Sequence, residues 1–167
     1  MIPSERMELK MKRRYYIAYG SNLNVPQMRM RCPQARILGT ANIKDWELLF
    51  KGSMTGSYLT IEECPGAKVP VAIWEVTEDD ERALDRYEGF PTFYYKRNFK
   101  LTYRGIVTGR RKVVEAFAYI MHEERPLGVP TTTYMKTCLE GYETFRFERN
   151  VLIAALEKSK GGQKNEK

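Results

Sequence analysis

An α+β domain built on a closed or barrel-like mixed sheet is the fold class this sequence predicts. Three observations carry the prediction. β-prone runs follow one another in short succession over residues 14–76, helix signals sit at a few defined points, and a long hairpin precedes a helical C-terminal region. The chain has 167 residues, 43% of them hydrophobic, which suits one domain with a core and a pocket.

The elements follow in order. Residues 14–19 form a compact β-prone run that ends at the turn cluster Gly20-Ser21-Asn22. Asn24 reads as an N-cap with Pro26 in the first turn, and the short helix stops before Pro33. Residues 37–43, 46–51, 57–62 and 69–76 read as further strands, separated by Gly, Pro and Asp. Thr77 opens a helix with the acidic first turn Glu78-Asp79-Asp80-Glu81, and Thr77 with Asp80 resembles a capping box. That helix ends at Gly89-Phe90-Pro91. Residues 93–103 and 112–121 form a hairpin, and residues 131–157 are helical in two pieces broken near Gly141. Residues 1–13 and 158–167 are polar and charged and are expected to fray, leaving 14–157 as a single domain.

The net charge of +7 is the one unusual number and taken alone suggests a nucleic-acid partner. Split along the chain, residues 1–14 carry +3, residues 157–167 carry +2, and the body between them only +2. The charge is therefore read as a property of the ends, and no nucleic-acid partner is expected. The longest apolar run has six residues, 151–156, far short of the roughly 20 a spanning helix needs, so no membrane partner is expected. The first fourteen residues lack an apolar stretch of signal-peptide type. Cys32, Cys64 and Cys138 are odd in number and widely spaced, with one histidine, His122. A zinc site and a disulfide framework are not expected, and a cytoplasmic, reducing location is.

Four features would carry chemistry. In Tyr19-Gly20-Ser21-Asn22-Leu23 a strand runs through a Gly-Ser-Asn turn into a helix, where exposed backbone N–H groups make a cradle for a carboxylate or oxyanion. The same residues also suit an ordinary turn. Glu88 follows Leu84 by four positions, on the helix face turned to the core, where desolvation raises a carboxyl pKa toward the range useful for proton transfer. A frayed helix-end Glu88 whose carboxylate reaches solvent or pairs with Arg97 is the alternative. Tyr94 and Tyr95 point to opposite faces of a strand, so one of them can line a pocket. Tyr134, after Pro130, enters the last helical region and can hang into a cavity or pack in the core. Ser53, Ser57 and the cysteines lack triad companions, and His122 reads as a loop residue.

Taken together these residues resemble the gamma-glutamylcyclotransferase-like superfamily. The strand ending in Tyr19-Gly20-Ser21-Asn22-Leu23 carries the resemblance, with Leu84-Asp85-Arg86-Tyr87-Glu88-Gly89 about seventy residues later, then Phe90-Pro91, Tyr94, Pro130, Tyr134 and Gly141. The resemblance implies a small mixed β-barrel packed against helices around one cavity. It implies that Tyr19, Gly20, Ser21, Asn22 and Leu23 bind the γ-glutamyl group of a small substrate and that Glu88 is the catalytic acid/base. Tyr134 matches the late pocket tyrosine, and Tyr94 or Tyr95 the tyrosine after the acidic helix. The activity implied is cleavage of a γ-glutamyl amide by its own α-amine, releasing 5-oxoproline. The nucleophile lies within the substrate, so no Ser or Cys nucleophile is needed, nor a metal or organic cofactor. A non-catalytic binding module of the same fold is the alternative reading.

Overall fold

The computed structural model describes residues 12–53 and 55–165. The first eleven residues of the expected N-terminal extension and the last two of the chain lie outside the described residues. Five strands make a closed mixed barrel in the order β1-β3-β2-β4-β5. β1 spans Arg13–Ala18, β2 Arg36–Ser53, β3 Gly56–Thr77, β4 Tyr94–Gly105 and β5 Arg111–Met121. Among the described residues, α1 (Val25–Arg31) connects β1 to β2 and α2 (Glu78–Glu88) connects β3 to β4, while α3 (Thr132–Phe145) and α4 (Asn150–Asn165) follow β5. Among the described residues, no helix is long and apolar enough to cross a membrane.

The four strands expected over 37–76 are two long ones. β2 and β3 form one antiparallel ribbon from Arg36↔Glu75 to Ser53↔Gly56, with register shifts at Ile37/Gly39 and Lys44/Trp46. Asp45 (φ 65°) and Gly66 (φ 86°) absorb the second irregularity, and the Asp45 carboxylate accepts the Gly66 N–H at 2.9 Å. The Asp and Pro-Gly signals therefore mark a bulge, which bends a ribbon without ending it. Closure is narrow. β1 meets β5 in parallel at Tyr15↔Ala116 and Tyr16↔Phe117, and β2 meets β4 only at Gly39↔Gly105 and Thr40↔Arg104. A Cβ on Gly39 would lie 2.0 Å from the Arg104 carbonyl oxygen, so this closure requires glycine.

The caps behave as their residues dictate. The Asn24 side chain accepts from Gln27 N–H at the start of α1. Thr77 and Asp80 form a reciprocal capping box at the start of α2, with Asp80 N–H to Thr77 Oγ1 at 3.1 Å and Thr77 N–H to Asp80 Oδ2 at 3.2 Å. Leu84 is fully buried on the inner face of α2, a burial worth about 1.5–3 kcal/mol. Gly89 (φ 63°) stops the helix in the left-handed conformation, and Phe90 N–H returns to the Asp85 carbonyl at 2.9 Å.

The helical break expected at Gly141 falls elsewhere. Gly141 is inside α3, and the chain turns at Arg146 (φ 58°). Gly141 is needed for contact: a Cβ there would lie 2.5 Å from the Leu23 Cβ and 2.7 Å from the Leu23 carbonyl carbon. α3 thus packs directly on the turn after β1. α4 runs to Asn165, beyond the expected end at residue 157. The Ser159 side chain is fully buried and donates to the Leu156 carbonyl at 2.6 Å, and Lys158 pairs with Glu47 of β2. Residues 122–129 run along β2 through Gly52 N–H to the Pro126 carbonyl and Gly128 N–H to the Phe50 carbonyl, both 3.1 Å.

Gly141→Ala is expected to destabilise the protein by about 1–3 kcal/mol, because the added methyl must displace backbone. Thermal unfolding followed by circular dichroism checks this, and an unchanged Tm would mean that α3 does not pack on Leu23 as closely as described.

Candidate active site

A cavity of about 330 Å³ opens where β1, its turn, α2, β3 and α3 converge. Its first wall is the turn. A short 3-10 helix at Ser21–Leu23 begins immediately after Gly20, and the first N–H groups of such a turn have no acceptor within the helix. Gly20 keeps the backbone against β3, since a Cβ would lie 3.3 Å from Leu59 and 3.5 Å from the Tyr134 hydroxyl.

Glu88, the last residue of α2, forms the opposite wall. It retains some solvent access, and among the described residues no cation makes a salt bridge with it. Burial pushes its carboxyl up to about 8, and the Arg31 guanidinium works in the opposite direction. The helix C-terminus adds its own penalty for a negative charge there. The nearest donor is Asn22, whose Nδ2 lies 3.5 Å from Glu88 Oε1 and donates to the Tyr16 hydroxyl at 2.8 Å. The expected alternative partner, Arg97, is elsewhere, pairing with Glu63 and lying over Trp46 at 4.9 Å.

Tyrosines make up most of the remaining walls. The Tyr94 hydroxyl donates to the Leu59 carbonyl at 2.8 Å, and the Tyr134 hydroxyl accepts the Leu59 N–H at 3.1 Å. Tyr134 therefore keeps its own O–H to donate. Tyr19 donates to the Tyr119 carbonyl at 2.5 Å. Burial, and then the Glu88 charge, raises the pKa of Tyr16, Tyr19 and Tyr94 well above the ordinary value, and burial does the same for Tyr134. These hydroxyls stay neutral.

Tyr19, Gly20, Ser21, Asn22, Glu88, Tyr94 and Tyr134, all singled out from sequence, line one cavity. Leu23 does not. It is fully buried under Gly141 of α3 and holds the turn from behind. Tyr95 points the other way, its hydroxyl bonded to Glu123. The Ser21 and Asn22 side chains are committed within the site, Ser21 Oγ to the Tyr87 hydroxyl at 2.9 Å and Asn22 to Tyr16 and Glu88. That leaves the turn's backbone as the cradle. Sequence reasoning missed Tyr16, Tyr58, Tyr87 and Tyr119 of the lining. Tyr16 lies three residues before Tyr19, and strand alternation alone sends these two to opposite faces. It also missed Arg31, whose guanidinium donates to Asn22 Oδ1 and lies 3.4 Å above the Tyr87 ring. Basic residues in the last turn of α1 gave no signal of this, because cations there suit the helix dipole anyway.

The family model described as gamma-glutamyl cyclotransferase, AIG2-like, matches residues 16–136. The chain belongs to this family. Gamma-glutamylcyclotransferases of Bos taurus and Homo sapiens are 34% and 33% identical to it over 87 residues, covering 48% of this chain and 46% of theirs. The matched segment thus spans about half the length of these relatives. A solved structure named gamma-glutamyl cyclotransferase superposes with a TM-score of 0.68 at 26% identity, covering 89% of this chain and 87% of the other. YkqA of Bacillus subtilis superposes at 0.69 with 17% identity over 92% of this chain and 57% of its own, a likeness of fold alone. In this member of the cyclotransferase family, the matched region contains both the 19–23 turn and Glu88.

Two titrations probe the site. Glu88 has a folded-state pKa above its unfolded value, so it favours folding at acid pH and loses that contribution as pH rises from about 4.5 to about 8. Glu88→Gln is expected to flatten this decline, giving a higher Tm than wild type above pH 8 and little difference at pH 4.5. Melting curves across pH check it, and parallel profiles would show a normally titrating carboxylate. Arg31→Gln removes the opposing cation and is expected to move the Glu88 pKa further upward, read by carbon-13 NMR of the Glu88 carboxyl. A downward shift would contradict the assigned geometry.

Proposed function

We propose that this protein is a cyclotransferase that cleaves a small γ-glutamyl amide into 5-oxoproline and an amine or amino acid. One observation carries the reading: Glu88, desolvated and without an ion pair among the described residues, faces the Gly20-Ser21-Asn22 backbone across a cavity of about 330 Å³. That volume lies at the small end of ligand pockets. Family membership supports the reading.

The chemistry follows from the placement. The substrate's α-ammonium enters beside Glu88 and gives it a proton. The freed amine attacks the γ-carbonyl carbon, forming the new C–N bond of the five-membered ring. The carbonyl electrons move onto oxygen, where N–H groups of the 20–22 turn and the Tyr134 O–H are placed to receive the charge. As the intermediate collapses, the bond to the leaving nitrogen breaks and Glu88 gives that nitrogen its proton. Glu88 then takes the second proton from the ring nitrogen, leaving the neutral lactam N–H, and passes it to the departing amine, which returns Glu88 to the carboxylate. A pKa of about 8 suits one group to transfer in both directions near neutral pH. Holding amine and carbonyl together in a fixed fold of the substrate supplies much of the acceleration. Three free cysteines, Cys32 and Cys138 buried, support a reducing cytoplasmic location.

Release of 5-oxoproline from a panel of γ-glutamyl amines and γ-glutamyl dipeptides tests the function. Wild type is expected to turn over at least one class, with kcat/KM rising through about pH 8. Glu88→Gln is expected to lose about 10²–10⁴-fold. Binding without turnover across the panel would favour a non-catalytic module, and full activity in Glu88→Gln would remove the acid/base assignment.

A further inference from the structure

A second concavity lies outside the cyclotransferase cavity and shares no residue with it. It is a groove of about 1020 Å³ between β2, β4, the β3 residues Lys68 and Pro70, and the corner joining α3 to α4. Its origin is the narrow closure of the barrel. β2 and β4 pair only at Gly39↔Gly105 and Thr40↔Arg104, then diverge. Beyond that point residues 41–46 of β2 are paired only on the β3 side and residues 99–103 of β4 only on the β5 side; further along, residues 126–128 take up the β2 edge at 50–52. Among the described residues, the facing edges around 41–46 and 99–103 carry backbone N–H and C=O groups with no backbone partner across the gap.

The groove also gathers charge. Lys44, Lys68, Lys100, Arg104, Arg111 and Arg146 line it, and all six are exposed. Glu148 is the one carboxylate among the lining residues, and no described carboxylate forms a salt bridge with any of the six cations. The charge of the body, nearly balanced along the sequence, is therefore strongly positive at this one place. The floor is apolar: Trp46 of β2 meets Phe99 of β4 edge-on at 5.1 Å, and Phe145 stacks on Phe147 at 5.6 Å.

We propose that this groove binds an extended acidic polypeptide segment, which adds a strand to the open edges and sets its carboxylates among the six cations. Unpaired strand edges ask for backbone partners, which a peptide supplies and a nucleic acid does not. The aromatic rings also argue for a peptide: Trp46 is buried against Phe99, Phe145 is stacked on Phe147, and the three phenylalanines are half-buried, so these rings are already engaged with one another in pairs rather than set out as a row of free stacking platforms. Side chains alternate along an extended strand, so apolar residues between the acids meet this floor.

The probe is a fluorescein-labelled peptide of about eight residues alternating Glu and Val, long enough to follow either edge. Fluorescence anisotropy with full-length protein is expected to show saturable binding that weakens with salt. Lys44→Glu/Lys100→Glu is expected to weaken it at least about tenfold, as loss of complementary charge requires, without changing 5-oxoproline release or Tm. Replacing Glu by Lys in the peptide, or methylating alternate backbone nitrogens, is expected to abolish binding. No binding, or equal binding of the N-methylated peptide, overturns the proposal. So does tighter, groove-dependent binding of an oligothymidylate, or a concentration-dependent dimer that the same double variant dissolves.

Discussion

The arrangement of this molecule depends on keeping one carboxylate in a place where its charge is poorly solvated. Glu88 closes the cavity beside neutral tyrosines and one asparagine. A nearby lysine or arginine in direct contact would hold it ionised and make it a poor acid. Full enclosure without any polar neighbour would hold it protonated and make it a poor base. The structure takes an intermediate course. Arg31 moderates the charge from beyond Asn22, and the side chain it touches, not Glu88 itself, carries the hydrogen bond.

That balance requires rigidity on both walls, and each wall has its own source. On the helix side, the capping box buries Thr77 and Asp80 at the start of α2, Leu84 anchors its middle, and Gly89 stops it one residue after the acid. Glu88 is therefore fixed from three points within its own helix. On the turn side, Leu23 is pinned beneath Gly141 of α3, and Gly20 lies against Leu59. Leu59 in turn has its N–H and carbonyl bound by Tyr134 and Tyr94, which also line the cavity. The tyrosine hydroxyls thus both satisfy a strand's backbone and define the pocket.

Much of this was legible in the sequence, for identifiable reasons. The caps at Asn24, Thr77 and Gly89 are local chemistry, settled within four residues, and the elements they bound appear where expected. The four-residue step from Leu84 to Glu88 carried the acid to the inner face. The misreadings share a different cause. Asp45, Gly66 and Gly141 look like breaks because local preference is ambiguous between ending an element and bending or crowding it, and only a contact distant in sequence decides. Leu23 belonged to the right motif but faces the helix behind it. Arg31 and Tyr87 meet only when α1 and α2 are side by side, and no spacing along the chain encodes that meeting.

The barrel's closure links the cavity and the groove. A five-stranded barrel must bring together strands that its hairpins do not join, and here β1 meets β5, and β2 meets β4, over two residue pairs each. Longer contact between β2 and β4 would cover their edges and leave no groove; none at all would open the barrel. Gly39, with no side chain against Arg104, permits the short contact and so sets where the strands begin to part. Past that point, each exposed edge must be protected from pairing with another chain of its own kind. Lys44 and Lys100, one on each edge strand, place repelling cations where two copies would otherwise pair. The device that discourages self-association is the one that would attract an acidic strand. The mean charge of the chain could not show this, because opposite charges elsewhere on the body cancel it in the sum while leaving it intact at the seam.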